Sequence, residues 1–140
     1  MAANTTPIFI KQGNIGSARL IGANTTSDAS STTNLVTIVT SAADGTRIDG
    51  VRFRNSQATA AASSTMVHRI FWYNGTNYRL IGEVATAAAN RSVGNVIGAT
   101  SIYTFDQAVV LKTGESLLVG QSVYAGAQDQ TDAFAFAGDY

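Results

Sequence analysis

Short strand-like runs, separated at regular intervals by turn-forming residues, most constrain how this chain can fold. Segments such as NLVTIVT at 34–40 and TSIYTFD at 100–106 are rich in β-branched and aromatic residues and end at Gly, Asn, Asp or Ser. No stretch shows the 3.6-residue period of an amphipathic helix of normal length. Roughly eight or nine strands at this spacing are typical of a sandwich or barrel. The sequence therefore predicts an all-β fold.

Two dipeptides predict tight turns. Asp44–Gly45 and Asn74–Gly75 are residue pairs that two-residue hairpins favour, because both central positions of such turns have positive φ. The strands that flank Asn74–Gly75, TMVHRIFWY and YRLIGEVA, carry apolar residues on both faces. We therefore expect this second hairpin to be buried against more than one layer.

The segment RIDGVRFRN breaks strict alternation near Gly50. Ile48 is out of phase with Phe53, and one extra residue in the strand would restore the phase. The sequence predicts a β-bulge at Gly50, after which Arg52 and Arg54 share the outward face.

Length and composition limit the domain organisation. A chain of 140 residues is the size of one domain and can bury a core without staples. It contains no cysteine, which excludes a disulfide framework, a thiolate zinc site and a cysteine nucleophile. We expect residues 1–14 to form an N-terminal arm or edge strand and residues 15–140 a single β-sandwich domain.

The charge balance bears on possible partners. Nine basic and nine acidic residues cancel, so the chain lacks the basic excess that nucleic-acid binders show. No window approaches the ~18 apolar residues of a membrane span. We expect neither nucleic acid nor a membrane as partner. Charged residues make up only 13% of the chain, and such a surface is easier to understand if partner proteins cover much of it.

The sequence indicates no catalytic residue, metal ligand or cofactor. His68, the only histidine, lies in the middle of a strand among apolar residues, and no G-x-S-x-G motif accompanies it. A structural role is expected for His68, with a hydrogen-bond partner if it is buried. The carboxylates are scattered, mostly in turns. The chain is therefore not expected to be an enzyme.

The aromatic hairpin has two possible roles. Phe71, Trp72, Tyr73 and Tyr78 are interleaved with arginines and could stack on bases or sugars. The other role is packing, in which these residues form cross-strand pairs within the core and contacts between subunits. The zero net charge favours the packing role.

Pro7, Ile8, Phe9 and Ile10 are the candidate partner interface. An apolar tripeptide behind a proline near the chain start is either a strand of its own sheet or an arm that docks on a neighbour by β-augmentation. The sequence leaves both alternatives open.

Four segments, in order, carry a family resemblance: AANTTPIF at 2–9, TSAADGTRIDGVRFR at 40–54, FWYNGTNYRLIGEV at 71–84 and AFAGDY at 135–140. Together they resemble small structural proteins encoded in the virion gene clusters of tailed phages. The last segment has AGDY where that group usually has two glycines before the aspartate.

The resemblance implies a capsid decoration, or cement, protein. Such a protein is a β-sandwich, often jelly-roll-like, that commonly forms homotrimers on the icosahedral head and clamps adjacent subunits of the major capsid protein. It would be made in the host cytoplasm, reside on the capsid surface of the virion and need no cofactor. The alternative is a carbohydrate-binding or host-adhesion module of a head fibre or tail, with aromatic residues of the hairpin stacked on sugar rings.

Overall fold

The computed structural model describes residues 10–56, 61–90 and 98–140. The described residues form eight strands and a 3-10 turn, Ala127–Asp129, that precedes the last strand. The strands are β1 Gln12–Leu20, β2 Val36–Thr40, β3 Thr46–Asn55, β4 Met66–Tyr73, β5 Tyr78–Thr86, β6 Thr100–Leu111, β7 Ser116–Gln121 and β8 Thr131–Asp139.

The strands pair as two four-stranded antiparallel sheets. One sheet has the order β1-β8-β3-β6 and the other β2-β7-β4-β5. Strand β1 pairs with β8, β2 with β7, β3 with β6 and β4 with β5, so the chain is a long hairpin rolled across two layers. This is the jelly-roll arrangement, and it distinguishes the fold from an immunoglobulin-like sandwich. The predicted all-β sandwich is confirmed.

The core lies between the two sheets. Its members are apolar side chains from both layers, with relative exposures of 5% or less. They include Ile48, Phe53, Ile70, Leu117 and Val119, each at 0%. Each fully buried side chain of this size contributes about 1.5–3 kcal/mol, so alternating apolar positions in the strands are the main source of stability.

The predicted bulge in β3 is confirmed. Ile48 and Gly50 pair with consecutive residues of β8, so Asp49 is the extra residue. Beyond the bulge the alternation resumes, and Arg52 and Arg54 both lie on the face that points away from the core. The bulge therefore determines which side chains of β3 reach the molecular surface.

Strand β4 of the second hairpin is covered on both faces, as its apolar residues predict, whereas β5 exposes Arg79, Glu83 and Ala85 on its outer face. Ile70 belongs to the core, whereas Phe71, the next residue, is also fully buried but points to the opposite side of the sheet. On that side, the Arg69 guanidinium donates through Nη1 to the backbone oxygen of Asn24, 3.1 Å away. The segment between β1 and β2 thus covers part of the outer face of this sheet.

The two predicted hairpin turns have different outcomes. Gly75 has φ 89° and joins the paired strands β4 and β5, which confirms the second hairpin. Gly45 also has positive φ, 106°, but it joins β2 and β3, which belong to different sheets. The prediction of a hairpin at Asp44–Gly45 is wrong, because in a jelly roll each of these strands pairs with a strand distant in sequence.

Candidate functional site

The chain enters the sandwich beside its own C-terminal strand. Of the predicted interface, Pro7, Ile8 and Phe9 lie outside the described residues. Ile10 is 45% exposed. The next residue, Lys11, donates its backbone N–H to the carbonyl of Asp139 at 2.9 Å. From Gln12 onward, β1 is an edge strand of the β1-β8-β3-β6 sheet.

The outer face of that sheet exposes apolar side chains on three of its four strands. Ile15 on β1 is 70% exposed, Ile102 on β6 is 59% exposed and Phe136 on β8 is 41% exposed. Val110, near the end of β6, is 52% exposed. Scattered single apolar residues are common on protein surfaces, but several on one sheet face mark a surface suited to contact with another molecule.

Arginines lie across the centre of the same face. The Arg52 guanidinium carbon is 5.3 Å from the ring centroid of Phe134 and 5.7 Å from that of Phe136. Such distances allow attraction between the cation and the negative faces of both rings. Arg54 is exposed two residues further along β3. We call the outer surface of this sheet around Arg52, Arg54, Phe134 and Phe136 the arginine–phenylalanine face.

At this end of the sheet, the carboxylate of Asp132 lies among the arginines. Asp132 Oδ1 accepts a hydrogen bond from Nε of Arg19 at 2.7 Å. This hydrogen bond, with the nearby negative charge, raises the pKa of Arg19. Asp132 is the Cα partner of Arg54 across β8 and β3, yet its carboxylate bonds to Arg19. Within residues 10–56, 61–90 and 98–140, neither Arg52 nor Arg54 forms an ion pair.

These side chains surround a shallow hollow. It is lined by Arg19, Arg52, Arg54, Ser56, Asp132 and Phe134. Three cations and one anion line it, so its local charge is positive although the whole chain is neutral. The hollow can therefore accept an anionic group, and the exposed apolar residues beside it can contact an apolar one.

The sequence predicted that Arg52 and Arg54 share the outward face of their strand. In TDAFAFAGDY at 131–140, Phe134 and Phe136 occupy alternate positions and so lie on one side of their own segment, but neither pattern links the two pairs. The pairing of β3 with β8 does so, since Arg52 is the Cα partner of Phe134. The sequence signal for this contact is that alternation turns both pairs of side chains away from the core. That signal needed the knowledge that the strands are neighbours.

His68 has the structural role expected for it. Its ring stacks on Phe53 with centroids 4.4 Å apart. Its Nδ1 is 2.9 Å from the Thr86 hydroxyl and its Nε2 is 3.3 Å from the Thr131 hydroxyl. Burial lowers the pKa of His68 to about 4, so the ring is neutral at pH 7. Both ring nitrogens thus contact hydroxyls and not a carboxylate that could complete a triad.

The aromatic hairpin has the cross-strand packing that its sequence favours. Trp72 packs against the core while its indole Nε1 donates to Glu115 Oε2 at 3.2 Å. Tyr73 and Tyr78 are direct cross-strand partners, with ring centroids 4.7 Å apart. These rings contact one another or the core, and do not form a row of open aromatic faces.

In the described part of the chain, no three His, Cys, Asp or Glu side chains are grouped so that they could hold a metal ion. Nor do the described residues include a helix that is long and apolar enough to cross a membrane.

No protein-family model matches the chain, and no curated protein matches it. Among solved structures, a chain of the capsid asymmetric unit of cyanophage Pam1 is similar, with 18% sequence identity and a TM-score of 0.44. The match covers 98% of this chain and 92% of that chain. A functional assignment therefore rests on the residues of this chain.

Proposed function

We propose that this chain is a capsid decoration protein. It binds the outer surface of an icosahedral phage head and stabilises contacts between subunits of the major capsid protein. The observation that carries the proposal is the arginine–phenylalanine face with its exposed neighbours Ile15 and Ile102, on the outer surface of one sheet of a jelly roll. The four sequence segments that resemble small tailed-phage virion proteins supply the class of partner.

The surface of the chain suits a protein that functions when bound. Charged residues are few and cancel, so little electrostatic repulsion keeps copies apart in solution. Ile15, at 70% exposure, leaves most of its side chain in water, and covering it would release about 25 cal/mol for each Å² of apolar area. A protein partner is the simplest way to remove this cost.

A decoration protein acts through mass action. If it binds the expanded shell better than the unexpanded one, it stabilises the expanded state in proportion to the logarithm of its concentration over its dissociation constant. Association as a trimer would link several weak contacts, so the assembly would bind more tightly than one copy. Trimer formation and a position on three-fold axes are part of the proposal.

The alternative, a carbohydrate-binding or host-adhesion module, has less support from the geometry. Sugar binding by stacking needs open aromatic faces, whereas Trp72 packs against the core and the rings of Tyr73 and Tyr78 contact each other. On the other sheet, the guanidinium of Arg52 already lies over Phe134 and Phe136. We therefore favour the decoration role.

Co-sedimentation with heads tests the proposal. The purified chain is mixed with expanded heads that lack it, and the pelleted particles are imaged by electron cryomicroscopy. Saturable binding with ordered density on the outer shell is the expected result, and unexpanded shells are the control. Absence of binding to expanded heads, combined with binding on a glycan array, would transfer the assignment to the adhesion module.

A further inference from the structure

We infer that the arginine–phenylalanine face recognises a carboxylate that is flanked by apolar side chains on the surface of a partner protein. The inference rests on the proposed function for the identity of that partner, the major capsid protein. Arg52 and Arg54 bind the carboxylate, and Ile15, Ile102 and Phe136 contact the apolar neighbours.

Arg52 is held in place without an anionic partner. The rings of Phe134 and Phe136 lie within 5.7 Å of its guanidinium carbon, and its Nε is buried without a hydrogen-bond acceptor in the described structure. Because Nε is covered by the chain itself, a docking carboxylate would contact the terminal nitrogens of the guanidinium. A guanidinium kept in position by two rings loses little freedom when a carboxylate docks, and it can bind both carboxylate oxygens.

The charges near Arg52 favour an anion. The hollow is lined by Arg19, Arg52 and Arg54 but only by the carboxylate of Asp132, which is already bonded to Arg19. Arg54 is exposed, and its nearest candidate counter-ion by strand register, Asp132, is thus occupied. The incoming group that balances Arg52 and Arg54 must carry negative charge.

The residues beside the hollow favour protein over other anions. A nucleic acid would require an extended basic surface, whereas the whole chain has a net charge of zero. An acidic sugar would add hydroxyl groups, which gain little from exposed aliphatic side chains such as Ile15 and Ile102. Protein interfaces combine arginine and aromatic residues at their centre with apolar contacts, and this sheet face has the same composition.

The first test compares charge variants on heads. Arg52→Gln with Arg54→Gln removes two cations from the face. The matched control, Arg79→Gln with Lys112→Gln, removes two exposed cations, one from β5 and one from the turn after β6. We expect the first pair to weaken head binding at least about tenfold, and the control pair less than about twofold. Equal loss in both variants, at unchanged melting temperature, would overturn the inference while leaving the decoration role intact.

Salt gives a second readout on the same heads. An interaction that depends on Arg52 and Arg54 should weaken between about 0.05 M and about 0.5 M NaCl, and the double variant should lose most of that dependence. A variant that binds weakly but keeps the full salt dependence of the wild type would contradict the assigned role of these arginines.

A test without heads separates the inference from the proposed function. The ¹⁵N-labelled chain is titrated with the peptide acetyl-Ile-Glu-Val-Glu-Ile-amide and with its glutamine counterpart. We expect the glutamate peptide to shift the guanidinium signals of Arg52 and Arg54 more than the glutamine peptide does. This result would support the inference even if the chain failed to bind heads, and equal shifts from both peptides would overturn it.

Other occupants of the face have distinguishable outcomes. Tighter binding to a heparin oligosaccharide or to duplex DNA than to heads, abolished by the Arg52→Gln and Arg54→Gln pair, would assign the face to a polyanion. Dissociation of a wild-type oligomer by the same pair, measured by sedimentation velocity, would assign it to contact between copies of this chain. Either result would overturn the assignment to a capsid partner.

Discussion

At the scale of single residues, burial determines the protonation of His68. The ring lies between the sheets, fully covered, against Phe53. Its nitrogens contact the hydroxyls of Thr86 and Thr131, which can pair with a neutral ring but do not offset a positive charge as a carboxylate would. The cost of burying the imidazolium therefore lowers the pKa from the ordinary value of 6.5 to about 4.

This pKa shift predicts acid sensitivity. Between pH 6.5 and about 4 the unfolded chain binds a proton at His68 that the folded chain does not bind, so the free energy of unfolding falls as the pH is lowered. The free energy of unfolding is highest in this respect above pH 6.5, and it falls by about 3 kcal/mol by the time His68 is protonated in the folded chain as well. Urea unfolding of the wild type and of His68→Gln at several pH values measures it. Parallel pH profiles for the two proteins would contradict the prediction.

At the scale of elements, the approach of β1 to β2 depends on a missing side chain. A Cβ atom at Gly16 would lie 2.1 Å from the carbonyl oxygen of Ile38 and 2.6 Å from a methyl carbon of Val39. Backbone atoms cannot yield as a flexible side chain can. On the same strand, a Cβ atom at Gly13 would meet nothing within 4 Å. Gly16 therefore cannot accept a side chain unless β1 or β2 moves, whereas Gly13 can.

These two positions give a matched pair of variants. Gly16→Ala should force β1 away from β2 and lower the free energy of unfolding by about 1–3 kcal/mol or more. Gly13→Ala should change it by less than about 1 kcal/mol, because the new methyl group fits without contact. Denaturant unfolding of both variants and the wild type is the measurement. Equal effects at the two positions would show that β1 relaxes freely at this edge of the sandwich.

The elements also show how far sequence could predict this structure. The hairpin at Asn74–Gly75 and the bulge at Gly50 were predictable because each depends on residues that are near in the chain. The hairpin expected at Asp44–Gly45 was wrong because the same turn chemistry serves strands that cross between sheets. Strand pairing between distant segments is a property of the whole fold, and local patterns do not encode it.

The same limit applied to the candidate site. Alternation gave the outward direction of Arg52 and, separately, the common direction of Phe134 and Phe136. Their contact depends on the β3–β8 register, which the sequence pattern could not supply. Of the predicted interface at the chain start, only Ile10 falls among the described residues, and the role of Pro7 to Phe9 stays a prediction.

At the scale of the whole molecule, the rolled hairpin separates stability from binding. The core lies between the sheets, whereas the arginine–phenylalanine face and its exposed neighbours Ile15 and Ile102 lie on the outer surface of one of them. Substitutions on that surface can therefore alter binding with little effect on folding. Because Arg52 packs against Phe134 and Phe136, the Arg52 and Arg54 variants report on the partner when their melting temperature equals that of the wild type.

A capsid decoration protein should raise the thermal stability of expanded heads by an amount that depends on its concentration, whereas a surface protein without this function should not. If the chain binds only expanded heads, each occupied site stabilises them by about 2.7 kcal/mol when the free concentration is 100 times the dissociation constant, and more at higher concentration. The disruption temperature of expanded heads, followed by calorimetry, should therefore rise with the logarithm of added protein. The Arg52→Gln and Arg54→Gln pair should need at least about ten times more protein for the same rise.

The dependence of the disruption temperature on protein concentration distinguishes a capsid decoration protein from a host-adhesion module. A clamp across subunits of the shell shifts the disruption temperature because disruption releases the bound protein. An adhesion module anchored at one point occupies heads to saturation yet leaves that temperature unchanged, since its site survives in the separated subunits. Saturable sedimentation with a constant disruption temperature would therefore contradict the cement function while retaining attachment to the head.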